Sequence, residues 1–484
     1  AQQWLKRFSF PGSDADTLDF DPNGGVLYVD PVPPDLTVEP EGADEAEGAS
    51  VEPAAGAVDD PFGLHSRPGA PNVVYLDFDG HTFKKTAWSS GTIYAKAFDL
   101  DGSPSTFSES EKAAIAEIWH RVAEDYAPFG IDVTTEEPSS FDSYTGRVLI
   151  TSKRQTNGDP MPYDYAGGVA YVAVWGLSNY DTYYSPALVY YDNLQSKAIY
   201  IAEACAHEFG HNLGLGHDGQ GSATYYAGHG SGYTSWAPVM GNSYGKNVTQ
   251  WSRGDYSGAT NTQDDIAIIA GQLDLAPDDH GDKRQAATPL AIDAYGQILV
   301  SNPETDPYNS YPDNKGVIDS VDDLDYFWFD TEDGPVAITV NPAWEAFYRS
   351  SSRGANLDLR VTLLDSQGNA LVVSDPTDNT YAAITTSVAA GTYYLVIQGI
   401  GNGNYPEYAS QGQYFIGGSV TTANTPNIPP TASFGYVCDG LTCSFSDSSA
   451  DSDGSVVAWA WDFGDGSTAS APSPSHTFDT ASTY

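Results

Sequence analysis

His207-Glu208-Phe209-Gly210-His211-Asn212-Leu213-Gly214-Leu215-Gly216-His217 decides how this chain is read. Residues i and i+4 of a helix share a face, so His207 and His211 point the same way and can hold one metal ion. Glu208 turns toward the same cleft without stacking on them. Gly214 tolerates positive φ, which lets the backbone leave the helix sharply and return His217 as a third ligand. Three protein nitrogens with a fourth position open describe a catalytic zinc site rather than a structural one. The alternative is a surface helix with three unrelated histidines, and the chain has only nine histidines in 484 residues. Chemistry at such a site uses a zinc-activated water with Glu208 as general base, so no nucleophilic side chain is needed. Cys205 lies at neither i+3 nor i+4 from either helical ligand and reads as a small buried apolar residue.

The motif resembles the zinc signature of the metzincin metalloendopeptidases. That family carries a methionine turn beneath the metal. Met240, in A-P-V-M-G-N-S-Y-G and 23 residues after His217, matches it. Asp218 directly follows the third histidine, as in the adamalysin-like branch, where the resemblance implies a buried residue that orients the turn. A solvated loop carboxylate is the other reading. The position of a metal-touching tyrosine in other branches is Asn242 here, with Tyr244 two residues further on. The resemblance spans roughly residues 70 to 275. It implies a secreted endopeptidase with zinc held by His207, His211 and His217, Glu208 as catalytic base, and protein or peptide substrates. Family members present an edge strand before the zinc helix to an extended substrate. Gly168–Trp175 is the candidate for that strand, with an internal strand as the alternative.

Composition narrows the remaining classes. Sixty-five acidic against 20 basic residues give a formal charge of −45. That argues against nucleic acid or an anionic membrane as partner and suits an extracellular protein. No stretch approaches the ~20 apolar residues of a membrane span. The start, A-Q-Q-W-L-K-R, lacks a signal core, which fits a chain whose export signal has been removed or a form that never carried one. Cys438 and Cys443 are spaced to close a small disulfide loop, which an oxidising compartment permits.

The expected architecture is multidomain, an α+β catalytic domain followed by all-β sandwich domains. Residues 1–65 are acidic and proline-rich and read as a propeptide-like segment or linker, with a short strand pair near V-L-Y-V. Many metzincins are zymogens. A cysteine switch is excluded because no cysteine precedes Cys205, leaving Asp59, Asp60 or His65 as candidate metal caps. Residues 66–275 form the zinc protease domain. Its reading includes a strand at Asn72–Phe78, a helix capped by Ser108 and Glu111, strands at Ile131–Thr134, Arg147–Thr151, Val169–Val174 and Ala187–Tyr191, a zinc helix over Ser196–Leu213, and a closing helix over Asp264–Leu273. Residues 276–422 lose helical periodicity. D-D-H-G-D at 278–282 and D-L-D-Y-F at 323–327 resemble the bacterial pre-peptidase C-terminal domain, a small β-sandwich. Asp278, Asp279, Asp282 and Asp325 there, and Asp77, Asp79, Asp99 and Asp101 earlier, are candidate calcium ligands or solvated turn residues. Residues 430–484, with W-D-F-G-D-G at 461–466, resemble part of a PKD-type domain, and the chain is expected to stop inside it.

Three functions stay open at this level. The first is a secreted zinc endopeptidase. The second is a non-enzymatic surface or matrix-binding protein, its C-terminal domains holding polysaccharide or matrix and its protease vestigial. The third is a zinc amidase acting on cell-wall peptides. His229, in A-G-H-G, reads as a loop histidine or a cleft residue.

Overall fold

The computed structural model describes residues 12–32, 36, 60–298, 314–343, 355–423, 430–451 and 455–483. The catalytic domain is built on a twisted sheet from strands β1 (Leu18–Phe20), β2 (Val26–Pro31), β3 (Asn72–Asp77), β6 (Ile131–Thr134), β7 (Thr145–Thr151), β8 (Ala166–Tyr171) and β9 (Ala187–Tyr190). Between β3 and β6 lie the polar hairpin β4 (Thr82–Thr86) and β5 (Ser89–Tyr94) and the helix α1 (Glu109–Asp125). The sheet order is β1-β2-β8-β9-β7-β3-β6. β3, β6, β7 and β9 pair in parallel, while β8 runs antiparallel to β9 on one side and to β2 on the other.

Ser108 caps α1 through the expected box. Its hydroxyl accepts from the Glu111 amide, and the Glu111 carboxylate accepts from the Ser108 amide. Ile115, Ile118, Trp119, Val122 and Tyr126 follow at helical spacing and are all buried. Their face packs on helix α2 (Ala198–Leu213), where the Tyr126 hydroxyl donates to the Ala206 carbonyl at 2.8 Å. Burying each large apolar side chain stabilises by about 1.5–3 kcal/mol, which fixes α2 rigidly under the cleft. Strands β10 (Trp236–Pro238) and β11 (Val248–Gln250) form a small parallel pair beyond it, and helix α3 (Asp265–Leu273), capped by Asp264, closes the domain.

The next unit is a β-sandwich. One sheet has the order β12 (Thr288–Pro289), β15 (Asp325–Thr331), β20 (Gly391–Gly399), β17 (Leu359–Leu364) and β18 (Ala370–Ser374). The facing sheet joins β13 (Gln297–Ile298) and β14 (Lys315–Ile318) to β21 (Gly412–Val420), then β16 (Gly334–Pro342) and β19 (Ala382–Val388). β15 alternates buried and part-exposed residues, the period-2 signature of a strand covered on one face. The last unit holds β22 (Phe434–Asp439), β23 (Thr442–Asp447), β24 (Trp461–Asp462), β25 (Thr468–Ala469) and β26 (Ser475–Thr477), and a Cys438–Cys443 disulfide closes its first hairpin. Trp461 is part-buried and meets the rings of Phe434 and Phe445 at 5.1 and 5.5 Å.

One expectation is corrected here. Residues 12–32 hold the short strand pair expected near V-L-Y-V, and this pair supplies the two outer strands of the catalytic sheet. Consequently β8 is not an open edge: it starts and ends earlier than the expected Val169–Val174, and β2 pairs along it from Leu27 opposite Tyr171 to Pro31 opposite Ala166. The short apolar run Val26–Val29 is enough to add the expected strand where an edge is waiting.

Candidate metal and catalytic site

The zinc-helix reading places its residues together. His207 and His211 lie on one face of α2, buried, with ring centroids 4.7 Å apart. Gly214 ends the helix in the left-handed region at φ 115°, and its amide and that of Leu215 both bond back to the Gly210 carbonyl. That turn swings His217 back until its ring centroid is 4.9 Å from His211 and 5.4 Å from His207.

The rings are held by hydrogen bonds on their far sides. Nδ1 of His207 donates to the Val239 carbonyl and Nδ1 of His211 to the Leu215 carbonyl, each at 2.8 Å. A carbonyl can only accept, so in both rings Nδ1 carries the hydrogen and Nε2 presents a lone pair. Val239 belongs to the turn that carries Met240. Met240 is fully buried, its sulfur is packed against Gly210, and its carbonyl accepts from the Asp218 amide at 2.8 Å. A Cβ on Gly210 would sit 2.9 Å from that sulfur, so the glycine lets the methionine seat directly under α2. Asp218 is buried rather than solvated, and burial pushes its carboxyl up to about 8.

The fourth member of the cluster comes from the far N-terminal end. Asp30, at the end of β2, places Oδ1 2.8 Å from His217 Nε2 and Oδ2 3.3 Å from His211 Nε2 and 3.6 Å from His207 Nε2. The four ligand atoms all lie within 4.8 Å of one another. Tyr225 donates its hydroxyl to Asp30 Oδ1 at 2.6 Å, and the Tyr28 ring covers His217 and His211 at 4.1 and 4.6 Å.

The donor set fits a divalent metal. Lone pairs on His207 and His211 face a carboxylate, and acceptors gathered this closely repel unless a cation lies among them. Protonating the rings is a poor substitute, because burial lowers His207 to about 3 and lowers His211 as well.

Glu208 is 1% exposed and points across the cleft at β8. Gly168 leaves the space it occupies, since a Cβ there would fall 2.0 Å from Glu208 Oε1. Burial first, and the Asp30 charge second, push the Glu208 carboxyl well above its ordinary range.

Other sequence candidates fall elsewhere. His65 does not cap the site: its ring bonds to Asp132 at 2.7 Å and Glu136 at 2.8 Å. Asp60 accepts from the Phe62 amide, and Asp59 lies outside the described residues. His229 bonds through Nδ1 to the Tyr226 hydroxyl and packs on Trp236, away from the three histidines. Tyr244 is part-buried and packs edge-on against Tyr200. Cys205 is buried with a free thiol, as an apolar filler would be. Asp77 is buried and pairs through one carboxylate oxygen with Arg147. Asp99 and Asp101 gather with Glu111, whose two oxygens already accept from Leu100 and Ser108. Asp278, Asp279 and Asp325 also gather, whereas Asp282 accepts from the Leu324 amide. Asp30, Tyr28 and Tyr225 were missed. The apolar run before Asp30 was the one available signal, and nothing in it distinguishes Asp30 from its many acidic neighbours.

Comparison with known proteins bears on the domains. The profile described as Metallo-peptidase family M12B Reprolysin-like matches residues 132–218, from β6 through His217 and Asp218. The chain carries a reprolysin-like metallopeptidase domain. A PKD domain profile matches residues 425–484. Among solved structures, one described as the pre-peptidase C-terminal domain of collagenase from Bacillus anthracis is 13% identical, covering 28% of this chain and 97% of that one, with a TM-score of 0.18. The metallopeptidase family implies peptide or protein substrates for the site described here.

Proposed function

We propose that this protein is a secreted, zinc-dependent endopeptidase with Glu208 as its general base. The observation that carries the reading is the convergence of three buried imidazoles, their Nε2 atoms gathered on one point beside a buried glutamate. His207, His211 and His217 would hold the zinc. When bound, zinc supplies a water of lowered pKa and polarises a substrate carbonyl. Glu208 sits in a pocket whose burial raises its affinity for a proton, the property a base near neutrality needs. Its placement against Gly168 lets one carboxyl oxygen reach the cleft, take a proton and return it to a leaving amine. The Val239 and Leu215 carbonyls keep two ligand rings in the metal-binding tautomer. Strand β8 would offer main-chain groups to an extended peptide only where β2 is displaced from it. Export is supported by the charge of −45 and by the Cys438–Cys443 disulfide.

The test is hydrolysis of a quenched-peptide library by the zinc-loaded chain, before and after limited proteolysis of its N-terminal segment. Chelator should abolish cleavage, and Glu208→Ala should lower it by roughly 10²–10⁴-fold with zinc content unchanged. Cleavage that persists in Glu208→Ala would remove the assignment.

A further inference from the structure

One oxygen in the cleft meets two groups at once. Asp30 Oδ1 lies 2.8 Å from His217 Nε2 and 2.6 Å from the Tyr225 hydroxyl, which donates to it. The second oxygen of that carboxylate faces His211 and His207 at 3.3 and 3.6 Å. The carboxylate thus stands in for any oxygen that comes beside the three imidazoles, a substrate carbonyl included. A phenol hydroxyl already points, at hydrogen-bond length, to the place where a reacting oxygen would sit.

Tyr225 is held there from behind. The next residue is laced between two turns: the Tyr226 amide donates to the Asp218 carbonyl at 2.7 Å, and its own carbonyl accepts from the Asn242 amide at 2.9 Å. The Asp218 amide donates in turn to the Met240 carbonyl at 2.8 Å. These bonds tie the Tyr225 segment to the residue after the third histidine and to the turn beneath the helix. The Tyr225 ring is half-buried and packs on His217, with centroids 4.6 Å apart, and lies 6.3 Å from His207. The other side chains considered for this face are engaged elsewhere, Tyr244 with Tyr200 and His229 with Tyr226 and Trp236.

We infer that Tyr225 is a catalytic residue whose hydroxyl donates to the oxyanion formed during peptide-bond hydrolysis. The inference rests on the reading of the histidines as a hydrolytic metal centre. As water adds to the carbonyl carbon, Glu208 takes one of its protons, a C–O bond forms, and the carbonyl π pair moves onto the carbonyl oxygen. The phenol bond to that oxygen strengthens as charge builds on it, and the phenol keeps its proton. Collapse returns the pair to the carbonyl, breaks the C–N bond and sends the proton held by Glu208 to the leaving amine. A donor that strengthens its bond only as charge develops acts on kcat and leaves KM alone.

The experiment compares zinc-loaded, full-length Asp30→Ala with the double variant Asp30→Ala/Tyr225→Phe. The first substitution clears the stand-in carboxylate, and the second removes one oxygen while keeping the ring on His217. Asp30→Ser serves as a second background, and thermal melting and zinc content are measured on every form. Calorimetry follows two small ligands: imidazole, a neutral metal ligand with no oxygen for the phenol, and an alkyl phosphinate, whose tetrahedral anionic head resembles the hydrated carbonyl. Tyr225→Phe should weaken the phosphinate by roughly 10-fold or more and leave imidazole binding unchanged. Peptide hydrolysis should show kcat lowered by roughly 10²–10³-fold with KM unchanged. Phosphinate affinity that does not change, or that falls together with imidazole affinity, would overturn the inference. So would an Asp30→Ala chain that binds imidazole but no phosphinate. Absence of zinc uptake would remove the metal-centre reading and the inference with it. If the phosphinate weakens as expected while no form cleaves any peptide, the oxyanion donor is upheld and the endopeptidase reading is what fails.

Discussion

Glu208 can point at the cleft only because Gly168 has no side chain. The predicted 2.0 Å approach of a Cβ to Glu208 Oε1 is far inside contact distance, so one of the two must move. Gly168→Ala is therefore expected to displace the carboxylate and lower kcat by about 10-fold or more, with metal content unchanged, because misplacing a reacting group by an ångström costs on that order. Steady-state kinetics with metal analysis on the same sample checks it. Legibility at this scale followed distance along the chain. His207, Glu208, His211, Gly214 and His217 fall within eleven residues, where helical geometry alone fixes their relation. Met240 was reachable because the family resemblance supplied the turn. Asp30 lies 177 residues before His207, and no local periodicity connects them. Gly168 looked like any strand glycine until its neighbour was known.

Elements were legible wherever one face is apolar and the ends carry caps. Helix α1 is the clearest case. Replacing Ser108 removes the hydroxyl that accepts from Glu111 and loosens the Glu111 carboxylate, whose oxygens also bond Leu100. Ser108→Ala should cost about 1 kcal/mol of domain stability, measured as a shift in denaturant midpoint with unchanged slope. The hairpin β4–β5 was not legible. Its sequence, T-F-K-K-T followed by S-S-G-T-I-Y, is polar and largely exposed, so it carries no alternation to read. Strand β8 was shifted by several residues because its first half holds Gly167 and Gly168, which strand propensity counts against. In the sandwich, β15, β16 and β17 alternate buried and part-exposed residues, a period that a sequence shows directly. Elements whose identity depends on a distant partner, β1 and β2 above all, were visible only as short apolar runs.

On the scale of the whole molecule, the sandwich is docked on the catalytic domain through buried polar contacts. The Gln413 amide donates to both Glu124 oxygens at 3.0 and 3.2 Å, and Asn356 donates to Asp125 at 3.0 Å. Thr249 and Ala355 pair backbone to backbone, and the Tyr408 hydroxyl donates to Asp264. Burial pushes the Glu124 carboxyl from 4.5 up to about 8, against the lowering effect of the Gln413 hydrogen bonds. A folded-state pKa above the unfolded value means the folded chain holds the extra proton. Its contribution is complete below about pH 4.5 and is lost as pH rises through about 8. Melting temperature should therefore fall across that window more steeply in wild type than in Glu124→Gln, read by calorimetry at a series of pH values; equal slopes would reject the role. None of this docking was visible in the sequence, because the residues that make it are ordinary polar side chains until two surfaces meet.

Strand β2 is bonded to β8 on one side and to the three-residue β1 on the other, so the hairpin hides a row of main-chain amides on β8. Once that hairpin departs, the row is bare, and bare rows are adhesive toward any extended chain. Any extended chain that pairs with β8 along this edge therefore has to displace Val26–Pro31 first.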